Sequence, residues 1–160
     1  MIKRLALNLG ILSFLFTFSA QISLGKDFFV YVSPDPIGVN AFLQMGKTGT
    51  EAAAKKFGAD VQTYESSTAA ARRENVEAAL NEGATLIVLL GFEFNDIVNE
   101  LAPTAPDVQF LIVDQCIQNQ PPNVHCAVFR EYEASYLVGI AAGMMTKTNK
   151  IGVVGALDIP

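Results

Sequence analysis

The chain has 160 residues, 51% of them hydrophobic and 17% charged, and its mean hydropathy is +0.32. A chain this apolar buries enough surface to offset its ordering entropy, which excludes intrinsic disorder. A net charge of −5 and a pI near 4.8 exclude the broad basic face that nucleic-acid binding needs, and two Cys with one His are too few for a ready zinc site.

The first segment is not part of a folded domain. Lys3 and Arg4 precede an uncharged apolar run from Leu5 to Ala20, and Ser23-Leu24-Gly25 offers small residues at the −3 and −1 positions of a cleavage site. This is the pattern of a secretory signal, expected to be cut after Gly25. The run is shorter than the roughly 20 apolar residues of a membrane span and is interrupted by Asn8, Gly10, Ser13 and Thr17. No Cys follows it, so no lipid attachment is expected and the product is read as exported.

Strand and helix patterns then alternate. Asp27–Ser33 is an aromatic and β-branched run, stopped by Pro34-Asp35-Pro36. Phe42–Phe57 has apolar residues at helical spacing, with Gly58 as its stop. Val61–Glu65 predicts a second strand, and Ser66 or Ser67 a cap for the helix that runs through Arg72, Val76 and Leu80 to Gly83, with Arg73 and Glu77 one turn apart. Thr85–Leu90 is apolar on both faces, as a central parallel strand requires. A short helix over Glu93–Leu101, a strand over Val108–Val113, a strand over His125–Phe129, a long helix over Glu131–Lys147 and a last strand over Ile151–Gly155 complete the series.

This alternation predicts an α/β fold with a doubly wound, Rossmann-like parallel sheet, because parallel neighbours need helical crossovers. Ligands in such sheets bind outside the carboxyl ends of the strands, which draws attention to Ser33-Pro34-Asp35, Gly91-Phe92-Glu93 and Asp114-Gln115. The Glu131–Lys147 helix is apolar nearly all round and is expected to be buried on most sides. Only one strand pattern follows it, so the chain is expected to stop in mid-domain.

Cys116 and Cys126 flank a polar, Pro-containing loop. In an oxidising compartment a disulfide there is the favoured reading and two free thiols the alternative; His125 and Cys126, as neighbours in an extended segment, point to opposite faces and make a poor catalytic pair. Gly46-Lys47-Thr48 has the ending of a phosphate-binding loop, but Ala41 stands where its first Gly belongs and the stretch lies within a helix pattern. Glu93 and Asp96, like Glu131 and Glu133, stand at helix starts, where carboxylates suit the positive dipole end better than acid–base work. No nucleophile–base pair is visible, so no enzyme, cofactor or metal is expected. Phe42 and Phe92 flank the expected cleft, where stacking on a flat ligand and packing on the sheet compete; Asp114 is placed to accept hydrogen bonds from such a ligand.

Several stretches taken together resemble a known family. Phe42-x-Gln44, Gly91-Phe92-x-Phe94 and Pro106-Asp107-Val108-x-Phe110-x-x-x-Asp114 are followed by Phe129-Arg130-Glu131-x-Glu133-x-Ser135-Tyr136-Leu137-x-Gly139, Thr146-Lys147-Thr148 and Gly152-Val153-Val154-Gly155-x-x-Asp158-Ile159-Pro160. This series is similar to the Bmp/PnrA-like basic membrane protein family of ABC-importer substrate-binding proteins. The resemblance implies a type I periplasmic-binding-protein fold whose two lobes close on a solute, in characterised members a purine nucleoside. On that scheme residues 1–25 are the signal, 26–129 the first lobe, and 130–160 the crossover with the opening helix and strand of a second lobe, about half of the usual protein. The resemblance further implies stacking on Phe42 and hydrogen bonding by Asp114; Asp35, Asn40, Gly91 and Phe92, beside the strand ends, complete the expected ligand-binding set. It departs from the family in reading Val39-Asn40-Ala41-Phe42-Leu43 where Asp-x-Ser-Phe-Asn is frequent, and Ser33-Pro34-Asp35 where an acidic or amide residue follows the first strand directly. The implied partners are a nucleoside-like solute and a membrane permease, with a monomer expected at full length. A ligand-sensing domain for a membrane receptor and a non-functional gene remnant are the alternatives.

Overall fold

The computed structural model describes residues 25–155. The signal segment predicted for residues 1–25 lies outside them except for Gly25. In chain order the elements are β1 (Phe28–Ser33), α1 (Ala41–Phe57), β2 (Asp60–Glu65), α2 (Ala69–Asn81), β3 (Leu86–Leu90), a 3-10 turn (Phe92–Phe94), α3 (Asn95–Leu101), a second 3-10 turn (Ala102–Thr104), β4 (Gln109–Val113), β5 (Val124–Ala127) and α4 (Glu131–Met145). The five strands form one sheet in the order β2-β1-β3-β4-β5, and every pairing is parallel. The chain leaves β1 first toward β2 and then returns to the other side for β3, so the winding reverses between β1 and β3. The α/β, doubly wound reading of the sequence holds.

Strand alternation divides the core into two layers. Val30, Val32, Ile87, Leu89, Phe110 and Ile112 pack with α2 and α3, where Val76, Ala79, Ile97 and Val98 meet them. Tyr31, Val88 and Leu90 face the other way and pack with Leu43 of α1. Residues on both faces of β1 and β3 are almost wholly buried, which is why these strands read as unbroken apolar runs. Each fully buried aliphatic side chain contributes about 1.5–3 kcal/mol relative to exposure.

Element ends have local causes. Asn40 caps α1, its side-chain oxygen accepting from the backbone of Phe42 and Leu43, and Gly58 closes the helix at φ 71°. The cap of α2 is Thr68, which accepts from the Ala71 N–H, and not Ser66 or Ser67. Ser66 is buried and bonds Asn75 Nδ2 instead, which removes it from capping. The helix expected over Glu93–Leu101 divides into a 3-10 turn and α3.

Two expectations near the carboxyl end are corrected. α4 has no buried residue although it carries Tyr136, Leu137, Val138 and Ile140, because none of the described elements packs over it. Ile151–Gly155 is not a strand: a strand needs a neighbour to complete its hydrogen bonds, and none lies beside it among the described residues. No helix among the described residues is long and apolar enough to cross a membrane.

Candidate functional site

The carboxyl ends of β1, β3 and β4 open on a pocket of about 210 Å³ beside the point where the winding reverses. Pro34 and Asp35 enter it from the loop after β1, Asn40 and Phe42 from the start of α1, Gly91, Phe92 and Glu93 from the turn after β3, and Asp114 from the end of β4. All six ligand-site residues expected from the sequence therefore line one pocket. Glu93, singled out past the strand end but not expected to bind, lines it too. Sequence reasoning assigned it to a helix dipole, yet it stands in the 3-10 turn two residues past Gly91, and that distance from the strand end was the available signal.

Backbone geometry fixes this rim. Gly91 lies at φ 89° and ψ 171°, a conformation nearly confined to glycine, and a Cβ there would run into the Glu93 carboxylate. The Gly91 N–H donates to the Val113 carbonyl at 3.0 Å and the Asp114 N–H to the Ala127 carbonyl at 2.7 Å, which holds the two rim segments at one height. Asp114 is itself at φ 72°, a left-handed conformation costing roughly 1 kcal/mol or more outside glycine and tolerated best by Asp and Asn. Partial burial raises the Asp114 pKa above its ordinary value, and the neighbouring Glu131 carboxyl raises it further by sharing a hydrogen bond and by repulsion. Cys116 and Cys126 are joined in a disulfide with their Cα atoms 5.4 Å apart, which ties the loop that follows Asp114 to β5.

The polar groups have separate duties. The Asn40 carbonyl oxygen is spent on the α1 cap, leaving only its amide nitrogen for a ligand. The Asp35 carboxylate is more than half exposed and takes one hydrogen bond, from Arg72 at 3.2 Å. Phe42 and Phe92 are half-buried, each with part of its ring against the fold and part available. Among the described residues no basic side chain lines the pocket. Among the described residues no group of three or more His, Cys, Asp or Glu is arranged to hold a metal.

A larger concavity of about 430 Å³ lies on the α1 face of the sheet, between Met45 and Gly49 of α1 and Leu86, Leu111 and Val113 of β3 and β4. Among the described residues Thr50 is its one polar side chain, and Thr50 Oγ1 already donates to the Gly46 carbonyl. A wall without directional groups cannot orient a polar solute, so this is a packing surface and the smaller pocket is the candidate site.

Comparison with known proteins gives the family and the fold. Residues 28–160 match the family described as ABC transporter substrate-binding protein PnrA-like (Bmp). The chain belongs to this family. The CD4+ T-cell-stimulating antigen of Listeria monocytogenes is 34% identical over 139 residues, which cover 82% of this chain and 39% of that protein. The ABC transporter nucleoside-binding protein BmpA of Lactococcus lactis subsp. cremoris is 35% identical over 130 residues, 78% of this chain and 37% of that protein. The chain thus spans well under half the length of these relatives. Among solved structures, an ABC transporter system solute-binding protein from Aeropyrum pernix superposes with a TM-score of 0.64 at 29% identity, over 74% of this chain and 32% of that one. The parallel sheet is therefore that of a first lobe in the type I periplasmic-binding-protein manner. Proteins of this family are solute-binding components of ABC importers, not enzymes, and are of the exported type.

Proposed function

We propose that the chain forms the first wall of an exported solute-binding protein that delivers a purine nucleoside, or a similar small uncharged polar solute, to an ABC permease. One observation carries the reading: Phe42 and Phe92 share a single pocket with the carboxylates of Asp35, Glu93 and Asp114, and among the described residues no cationic side chain lines it. Aromatic faces stack on a flat ring, and carboxylates accept hydrogen bonds from ring N–H groups or ribose hydroxyls. The same carboxylates repel phosphate, so a nucleotide is a poor fit. The nucleoside-binding name of the Lactococcus relative favours the same solute class.

The residues from Arg130 onward are the crossover toward a second wall in this reading, and closure of that wall on the solute supplies the form a permease recognises. One wall alone cannot bury most of a ligand's surface, so the 160-residue chain by itself binds weakly. The test is titration of the protein at its natural length with inosine, guanosine and adenosine and with their 5′-monophosphates. Binding of at least one nucleoside and loss of that binding on phosphorylation is the expected result. Equal binding of nucleoside and monophosphate, or binding of neither, refutes the proposal.

A further inference from the structure

The loop that brings Asp35 into the pocket is held by side chains from four elements, β1, α1, β2 and α2. Glu65, the last residue of β2, accepts from the Ile37 N–H at 2.8 Å. Gln44 of α1 donates to the Gly38 carbonyl at 2.8 Å, and Ser33 Oγ to the Asp35 carbonyl at 2.7 Å. Arg72 comes from α2, on the opposite face of the sheet from α1, and its Nε donates to the Pro34 carbonyl at 2.8 Å while Nη2 reaches Asp35 Oδ1 at 3.2 Å. Its side chain is only 19% exposed, against 56% for that of Asp35.

We propose that Arg72 is a positioning residue for the pocket: one planar guanidinium fixes both the backbone that carries Asp35 and the direction of its carboxylate. The proposal rests on the reading that the pocket binds a nucleoside-like solute. A carboxylate on an exposed loop samples many rotamers, and ordering it at the moment of binding costs affinity. Here the ordering is done in the free protein, by a fork that grips carbonyl and carboxylate together. A lysine supplies one point charge on a flexible stem and can hold only one of the two acceptors well. Arg72 is not needed for the core, since α2 packs through Val76 and Ala79.

The test is a double-mutant cycle in the protein at its natural length, with guanosine as probe and backbone amide exchange as a ligand-free readout. Arg72→Ala is expected to weaken guanosine binding roughly tenfold in the native background and about twofold or less in an Asp35→Ala background, because the arginine acts through that carboxylate. Arg72→Lys recovers only part of the loss. Amide exchange accelerates in Arg72→Ala at Ile37, whose N–H donates to Glu65, and at Asn40, whose N–H donates to the Ile37 carbonyl. Equal loss of affinity in both backgrounds marks a general structural role and overturns the proposal. If the native protein binds no guanosine, the solute reading fails by itself, and the exchange data decide the arginine: unchanged protection of Ile37 and Asn40 refutes it, and faster exchange sustains it as the brace of that loop.

Discussion

Two glycines one turn apart on α1 should respond to the same substitution in opposite directions. A Cβ built on Gly46 lies 2.9 Å from Leu90 Cδ2 and 2.9 Å from both Cζ and Oη of Tyr31, whereas a Cβ on Gly49 meets nothing within 4 Å. Alanine is about 1 kcal/mol better than glycine in a helix interior. At Gly49 that gain is unopposed, so Gly49→Ala should stabilise by up to about 1 kcal/mol. At Gly46 the methyl group presses on a tyrosine that is 0% exposed and whose hydroxyl donates to the Leu43 carbonyl at 3.2 Å, so the ring has no room to retreat. Overpacking of this kind costs typically 1–3 kcal/mol, giving a net loss of about 0–2 kcal/mol for Gly46→Ala. The two variants should differ by roughly 1–3 kcal/mol, read as a separation of about 0.5–1.5 M in urea midpoint for a slope near 2 kcal/mol/M. Phe42 stands four residues before Gly46, on the same helix face. A lifted α1 therefore displaces the pocket aromatic, and Gly46→Ala should also weaken solute binding. Equal midpoints for the two alanine variants would refute the claim that α1 is seated on Tyr31 at backbone distance.

Further expectations concern the rim and the core. Reduction of the Cys116–Cys126 disulfide, or its replacement by two serines, should cost about 3 kcal/mol on the chain-entropy argument for a loop of this length, checked by urea unfolding with and without reductant. Asn123→Ala should cost roughly 2–3 kcal/mol, because its buried Nδ2 donates to the carbonyls of Ala102, Ala105 and Val108 and the alanine leaves them without that partner. Asp114 has its pKa raised in the folded state, so its contribution to stability is fully present below the ordinary carboxylate pKa and is lost as pH rises through the raised value. Asp114→Asn, which does not ionise, should therefore melt above the native protein near pH 7, with the gap closing as pH falls to about 4 in a thermal melt series; a gap that is constant with pH contradicts the raised Asp114 pKa that burial and Glu131 together produce.

Much of this fold is legible in the residues themselves. Thr85–Leu90 is apolar on both faces because both faces of β3 carry packed layers, and the parallel pairing follows from strands that alternate with helices. The rim was legible for a related reason: a parallel sheet places its ligands past the strand ends, so Asp35, Gly91 and Asp114 could be named before any geometry was known. Glu93 stands with them past a strand end but was assigned to a helix dipole, because a carboxylate near a helix start has an adequate local explanation; it lines the pocket nonetheless. Arg72 escaped because its partners lie 37 and 38 residues away, across the sheet, and no periodicity within α2 records them. The apolar pattern of α4 led to an expectation of burial that the described residues do not meet, because periodicity within a helix does not say what would cover it.

The central claim is that Phe42 stacks on the flat ring of a nucleoside-like solute, and calorimetric titration of the protein at its natural length with guanosine, inosine and adenosine tests it most directly. The account predicts binding of at least one of them in the micromolar range or tighter, and a loss of about tenfold or more in Phe42→Ala with little change in Phe42→Tyr. Absence of binding to all three, or full affinity in Phe42→Ala, would contradict it.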